Sequence, residues 1–183
     1  MVKIVNLVAS GHLGRELNLN ALKTDLNVHE KIYEPSRFPG LQLRFEDEDA
    51  VLILYSTGAY SIMGAKSEAE LEQIYSSLAA ALGNIGLDIT GADNQPEVQN
   101  LICKAHLGQE VNLSALTLGL GLEKVEYEPE QSPFVYYWPQ DPDCLITIPT
   151  TGEVIITGIE TKEKAEQAFE QFQDQITELF ENE

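Results

Sequence analysis

The sequence predicts an α+β fold made of two pseudo-symmetric repeats, and three observations carry that reading. One segment recurs 94 positions downstream, each copy alternates short apolar runs with turn residues, and each copy closes on a long amphipathic stretch. Aligned without a gap, Asn6 to Gly64 and Asn100 to Gly158 share 21 identities in 59 positions, where composition alone gives roughly 6%. His12-Leu13-Gly14 returns as His106-Leu107-Gly108, and Tyr33-Glu34-Pro35 as Tyr127-Glu128-Pro129. Two copies of this length suit a pseudo-twofold molecule rather than a solenoid. The expected division is residues 1–90 and 91–183, two intimately joined halves.

Each copy reads strand, short helix, several strands, long helix. Leu71, Ile74, Tyr75, Leu78, Leu82 and Ile85 recur at helical spacing, as do Ala165, Ala168, Phe169, Phe172, Ile176 and Leu179. Ser67 with Glu70 forms a capping box, and Thr161 caps the second long helix. Strands are expected over 41–45, 51–55 and 60–63, and over 135–138, 145–148 and 154–157. Gly58 and Gly152 mark the hairpin turns between the last two strands of each copy. The stretch 83–97, with Gly83, Gly86, Gly91, Asp93, Asn94 and Pro96, is the joint.

Composition narrows the function classes. The net charge is −19, and it is uneven: residues 1–92 hold seven Lys and Arg against twelve Asp and Glu, residues 93–183 four against eighteen, with no arginine. Such a surface repels nucleic acid unless a basic patch or abundant counterions intervene; a salt-adapted cytoplasm is the plainer explanation. No apolar run approaches the roughly 20 residues of a membrane span, and the N-terminus lacks a secretory h-region, so an intracellular location without membrane contact is expected. Cys103 and Cys144 read as buried free thiols, with no metal or cofactor site. His12, His29 and His106 have no Ser, Cys or carboxylate set at catalytic spacing, so the chain does not read as an enzyme, and His12 and His106 serve the turn before the short helix.

Val51 to Tyr55 and Val154 to Ile156 are apolar on both faces. Helices on one side of a sheet cover only one face, so the other is left partly apolar. It binds a ligand, is buried in a homodimer, or lies inside a larger core.

These residues resemble the TATA-box-binding protein family in its archaeal form, as a divergent paralogue, over essentially the whole chain. The resemblance rests on Val5-Asn6 and Val98-Gln99-Asn100, on Tyr33-Glu34-Pro35-Ser36-Arg37-Phe38-Pro39-Gly40 and Tyr127-Glu128-Pro129-Glu130-Gln131-Ser132-Pro133-Phe134, and on the turns Tyr55-Ser56-Thr57-Gly58 and Pro149-Thr150-Thr151-Gly152 with Met63-Gly64-Ala65-Lys66 and Thr157-Gly158-Ile159-Glu160. It implies a saddle-shaped curved antiparallel sheet with helices on the convex face and a concave face that binds promoter DNA through the minor groove. It also implies transcription initiation, with transcription factor B and an RNA polymerase preinitiation complex as partners, in an archaeal cytoplasm at the nucleoid.

On that resemblance, Asn6, Val8, Ile53, Asn100, Ile102, Ile155 and Thr157 line the DNA face, Phe38 and Tyr55 are wedges, and Arg37, Arg44 and Lys66 meet phosphates. Glu128, Pro129, Glu130 and Gln131 keep the family's surface for transcription factor B. The second copy departs: Ser132 and Pro149 stand at wedge positions, Gln131, Trp138 and Glu160 replace the cations, and Glu153 replaces a turn lysine. Phe134, two residues beyond Ser132, is the ring available to substitute. Weakened DNA contacts in the second repeat are therefore expected. The alternative is a protein on the same fold that binds transcription factor B without DNA, as a modulator or decoy.

Overall fold

The computed structural model describes residues 1–45, 49–89 and 94–181. The chain divides into two compact units, Asn6–Gln99 and Asn100–Glu183, with Met1–Val5 belonging to the second.

The first unit takes β1 (Lys3–His12) from Asn6 onward, then α1 (Leu19–Asp25). It continues through β2 (Glu30–Ile32), β3 (Leu41–Arg44), β4 (Val51–Leu54) and β5 (Ala59–Ala65) to α2 (Glu68–Gly83). The strands form an antiparallel sheet in the order β2-β3-β4-β5-β1. In the second unit β6 (Glu97–His106) and α3 (Leu113–Leu120) precede β7 (Val125–Glu126), β8 (Val135–Tyr137), β9 (Leu145–Ile148), β10 (Glu153–Ile159) and α4 (Lys162–Glu181). Its order, β6-β10-β9-β8-β7, repeats the first antiparallel arrangement.

Local chemistry sets the elements. Asn18 and Asn112 cap the short helices, each Oδ1 accepting from the N–H three residues on at 3.1 Å. Ser67 Oγ accepts from Glu70 N at 3.1 Å, but Glu70 returns its carboxylate to Lys66 N at 2.8 Å rather than to Ser67, so the box closes one residue early. Thr161 caps α4 through Lys164 N at 3.3 Å. The α2 stripe buries Leu71, Ile74, Tyr75, Leu78 and Leu82. Ile85 falls beyond the helix end and is half-buried, while Gly83, expected in the joint, is the last helical residue. Gly91 and Asp93 of that joint lie outside the described residues.

The hairpin glycines are required by close approach. A Cβ on Gly58 would lie 1.9 Å from the Arg15 carbonyl oxygen, and one on Gly152 2.0 Å from that of Gln109. The same turns receive the preceding strand, with Leu13 N and Leu107 N donating to the Gly58 and Gly152 carbonyls at 2.8 and 2.9 Å. His12 and His106 hold the adjacent bends, accepting on Nδ1 from Gly14 N and Gly108 N at 2.9 and 2.8 Å.

Burial alternates along the strands. Leu7 and Ala9, Leu41 and Leu43, Leu52 and Leu54, and Ile62 form one buried face; in the second unit Leu101, Cys103 and Ala105, Ile146 and Ile148, and Val154 and Ile156 do the same. Tyr137 marks this as the helix side, since its hydroxyl bonds Gln175 of α4 at 2.9 Å. The other face carries half-buried and exposed side chains in each unit. Both cysteines are buried free thiols, and burial pushes Cys144 up to about 11. Among the described residues no helix is long and apolar enough to cross a membrane, and no group of His, Cys, Asp and Glu could hold a metal.

Candidate nucleic-acid interface

In each unit the strand at one end of the order, β1 or β6, carries an asparagine beside a β-bulge. The register slips between Leu7 and Val8 against β5, and between Ile156 and Ile159 against β6. Gly64 and Gly158 sit at these bulges with φ of 98° and 84°, a region glycine enters without steric penalty. The bulge frees one backbone N–H from the ladder, and the asparagine takes it: Asn6 Oδ1 accepts from Gly64 N and Asn100 Oδ1 from Gly158 N, both at 2.9 Å. Because a backbone N–H only donates, the amide oxygen must face it, which fixes the orientation of each carboxamide. Nδ2, with its two donors, has no partner among the described residues. Tying a strand and offering a polar contact are thus compatible roles for one side chain.

Around each asparagine lie apolar and hydroxyl-bearing side chains. Val8 pairs across β5 with Met63, which is 38% exposed. Ile155 and Thr157 pair with Thr147 and Leu145, and Ile102 is half-buried on β6.

At the outer end of the first unit Phe38 and Tyr55 meet edge to face, with centroids 6.2 Å apart. They converge with Ile53 over Gly40, where an added Cβ would stand 2.5 Å from Ile53 Cγ2 and 2.7 Å from the Phe38 ring. That cluster explains how Ile53, on the open face, is only 6% exposed. In the second unit the residue aligned with Gly40 is Phe134. Its ring meets Tyr136 edge to face at 6.5 Å, and Ser132 Oγ lies 3.1 Å from the Tyr136 hydroxyl. The aromatic ring has moved two residues along the chain, from the position of Phe38 to that of Gly40, and packs on its own strand.

Each of the three basic residues is paired with a carboxylate. Arg37 pairs with Glu34 at 3.2 Å, Arg44 with Glu30 at 3.2 Å, and Lys66 with Asp49 at 2.7 Å. Arg44 also donates to the Asp49 carbonyl at 3.0 Å. The hydrogen bond from Lys66, and then its charge, hold the Asp49 carboxyl below the usual range and raise Lys66 in return. In the second unit Glu153 is neutralised by Lys104 at 2.5 Å. That bond depresses the Glu153 carboxyl. Lys104 is legible in the sequence as a cation of the second half, but only the strand register sets it beside Glu153. Sequence reasoning misses Gln42, Ser61, Met63 and Tyr136 on the open face; alternation along the strand from Arg44 reaches Gln42, and from Trp138 it reaches Tyr136.

Glu128, Pro129, Glu130 and Gln131 form an exposed turn closed by Gln131 N donating to the Glu128 carbonyl at 2.9 Å, with the Gln131 amide on the Glu128 carboxylate. Arg37 N and Phe38 N close the same turn on the Glu34 carbonyl in the first unit.

Comparison with known proteins matches this arrangement throughout. The family model described as transcription factor TFIID, or TATA-binding protein, matches residues 1–85 and 95–179. TATA-box-binding protein B of Halobacterium salinarum is 40% identical over 182 residues, covering 97% of this chain and 94% of that protein. The TATA-box-binding protein of Archaeoglobus fulgidus is 33% identical over 180 residues, covering 97% and 96%. Among solved structures, Methanococcus jannaschii TBP superposes with a TM-score of 0.85 at 33% identity, covering 97% of this chain and 98% of that one. The family is one of transcription factors and not of enzymes, and this α+β chain belongs to it: it is a member of the TATA-binding protein family.

Proposed function

We propose that this chain is a TATA-box-binding general transcription factor that grips the minor groove of promoter DNA with its open sheet face, chiefly through the first repeat, and recruits transcription factor B. The observation that carries the reading is the pair Asn6 and Asn100, each anchored by its oxygen to a bulge N–H and left with donors on the open face. In the minor groove A·T and T·A pairs both present only acceptors, so an uncharged donor reads either orientation. Val8, Ile102, Ile155 and Thr157 supply the flat apolar surroundings such a groove accepts.

Phe38 and Tyr55 are the wedge pair; this family is a standard example of minor-groove binding in which apolar side chains unstack base steps. The second repeat has its ring on Phe134, leaning on Tyr136, and its edge is acidic. Unstacking costs a few kcal/mol per step, so one wedge cluster bends DNA less than two. Arg37, Arg44 and Lys66 reach phosphates by exchanging their carboxylate partners. The exposed turn Glu128 to Gln131 offers carboxylates to factor B, which brings the polymerase preinitiation complex to DNA at the nucleoid.

The test is Asn6→Asp together with Asn100→Asp. Each carboxylate still accepts the bulge N–H, so the fold persists, while the donors vanish. In gel shifts on a TATA duplex the complex should be lost at every salt concentration, with and without factor B, and the melting temperature should stay close to that of the parent. Unchanged DNA binding by the double variant refutes the reading.

The ion pairs at Arg37, Arg44 and Lys66 favour a second reading, in which the same fold holds factor B without binding DNA and acts as a modulator or decoy. A parent chain that binds factor B but shifts no TATA duplex in any condition would establish it.

A further inference from the structure

The outer part of the second unit's open face differs from its counterpart in kind, not only in strength. A groove of about 470 Å³ is lined by Glu126, Glu128, Ser132, Tyr136, Trp138 and Leu145. Its counterparts in the first repeat include Ile32 for Glu126, Arg37 for Gln131, which also lines it, Phe38 for Ser132, Gln42 for Tyr136 and Arg44 for Trp138. Two cations and one aromatic ring have gone, one carboxylate has arrived, and two other aromatic rings stand in the same place. Trp138 is 41% exposed, and its ring lies 6.4 Å from Tyr136 at a tilt of 33°. Among the described residues no Lys or Arg pairs with Glu126 or Glu128. Lys124, the nearest cation in sequence, lines cavities on the helix side with Tyr137 and Gln175.

We infer that this groove binds an arginine side chain from a basic segment of a protein partner. Aromatic faces attract a guanidinium through their quadrupole, and its plane stacks on an indole. Two carboxylates at the rim supply the charge that the arginine needs on leaving water. The same set is poor for DNA: phosphates are repelled by Glu126 and Glu128, and the cations that would hold them are missing. The inference rests on the proposed asymmetry of the DNA face and deepens the proposed factor B surface, whose Glu128 and Gln131 line the same groove.

Trp138 is the sole tryptophan of the chain, so its emission reports on the groove directly. The probe is a Gly-Arg-Gly-Arg-Gly peptide, with citrulline replacing arginine in the neutral control, titrated into the full chain at low salt without DNA. The arginine peptide should change Trp138 emission saturably and the citrulline peptide should not. With the peptide labelled and anisotropy as readout, Glu126→Gln should weaken binding about fivefold and Trp138→Leu about tenfold, with Trp138→Phe between parent and Leu. Glu170→Gln, an equal loss of charge on α4, should alter it by less than about twofold. Melting temperatures of the four variants separate binding from folding.

The inference is overturned if Glu170→Gln weakens binding as much as Glu126→Gln, which would be diffuse attraction to an acidic chain. It is also overturned if Trp138→Leu binds like the parent, if an A·T duplex displaces the peptide and reproduces the emission change, or if emission depends on protein concentration alone, as a second copy in the groove would make it. None of these peptide results bears on the asparagine test, so the two readings fail separately.

Discussion

Asp49→Asn should strengthen DNA binding, although it removes an ion pair. Asp49 accepts from Lys66 Nζ at 2.7 Å, and its own carbonyl accepts from Arg44. One acidic residue therefore sits against two of the cations assigned to phosphates. The Lys66 and Asp49 side chains are 57% and 82% exposed, so the pair is heavily screened and its loss is nearly neutral for folding. For DNA the change is larger. A phosphate reaching Lys66 must displace Asp49 and then sit within a few ångströms of it, a like-charge contact that in water-like dielectric weakens binding about fivefold. Removing the charge should raise affinity for a TATA duplex by about that factor in dilute salt. Freeing one more cation should also steepen the slope of log K against log salt by about 0.9. Anisotropy titrations across a salt series read both quantities, with Asp174→Asn on the exposed side of α4 as the control. If affinity and slope are unchanged, or if Asp174→Asn gives the same gain, Lys66 does not meet a phosphate and the pair is only a surface contact at the end of β5.

Other consequences follow from the same geometry. Moving the ring back, with Ser132→Phe and Phe134→Gly together, should increase DNA bending measured by end-to-end energy transfer, whereas Ser132→Phe alone should not, because Phe134 already fills the space. Gly58→Ala should destabilise by more than about 2 kcal/mol in urea unfolding, from positive φ and a Cβ 1.9 Å from a carbonyl oxygen. Gly86→Ala, with positive φ but nothing within 4 Å, should lose only about 1 kcal/mol; equal losses would refute the packing argument. Alkali should act cooperatively. Burial raises Tyr60, Tyr75 and Tyr137 above the ordinary 10.0, and Cys144 from 9.0 to about 11. Groups raised in the folded state stabilise it fully below their unfolded values, and that stabilisation is lost as pH rises through the folded ones. Stability should fall as pH rises through about 9, where the unfolded Cys144 thiol is half ionised. Tyrosinate absorbance for the buried three should appear only with unfolding, and a gradual titration near 10 would contradict their burial.

How much of this is legible in the sequence varies by residue. The long-helix stripes, the capping serine and threonine and the histidine turns follow from local pattern, because each rests on spacing along a single element; the hairpin glycines are also legible as turn residues, but the close approach that requires them comes from Arg15 and Gln109. The edge strands Glu30–Ile32 and Val125–Glu126 do not, since two or three residues of mixed polarity have no period, and pairing with Leu41–Arg44 and Val135–Tyr137 alone defines them. Resemblance picks out the central asparagines, but their orientation comes from the bulge glycines 58 residues away in sequence. For Phe134 the sequence offers a ring in place of the lost wedge and no direction; its contact with Tyr136 shows which ring it packs on.

By itself the sequence determined the duplication, the order of elements, the family and the uneven charge, all of which survive in any conformation because they are written in residue identity and short-range spacing. Tertiary structure decided the pairing. It paired Arg44 with Glu30, Lys66 with Asp49 and Lys104 with Glu153, and set Glu126 opposite Tyr136. Charges and rings interact through space over a few ångströms, and the sheet register brings together side chains that the chain itself keeps well apart.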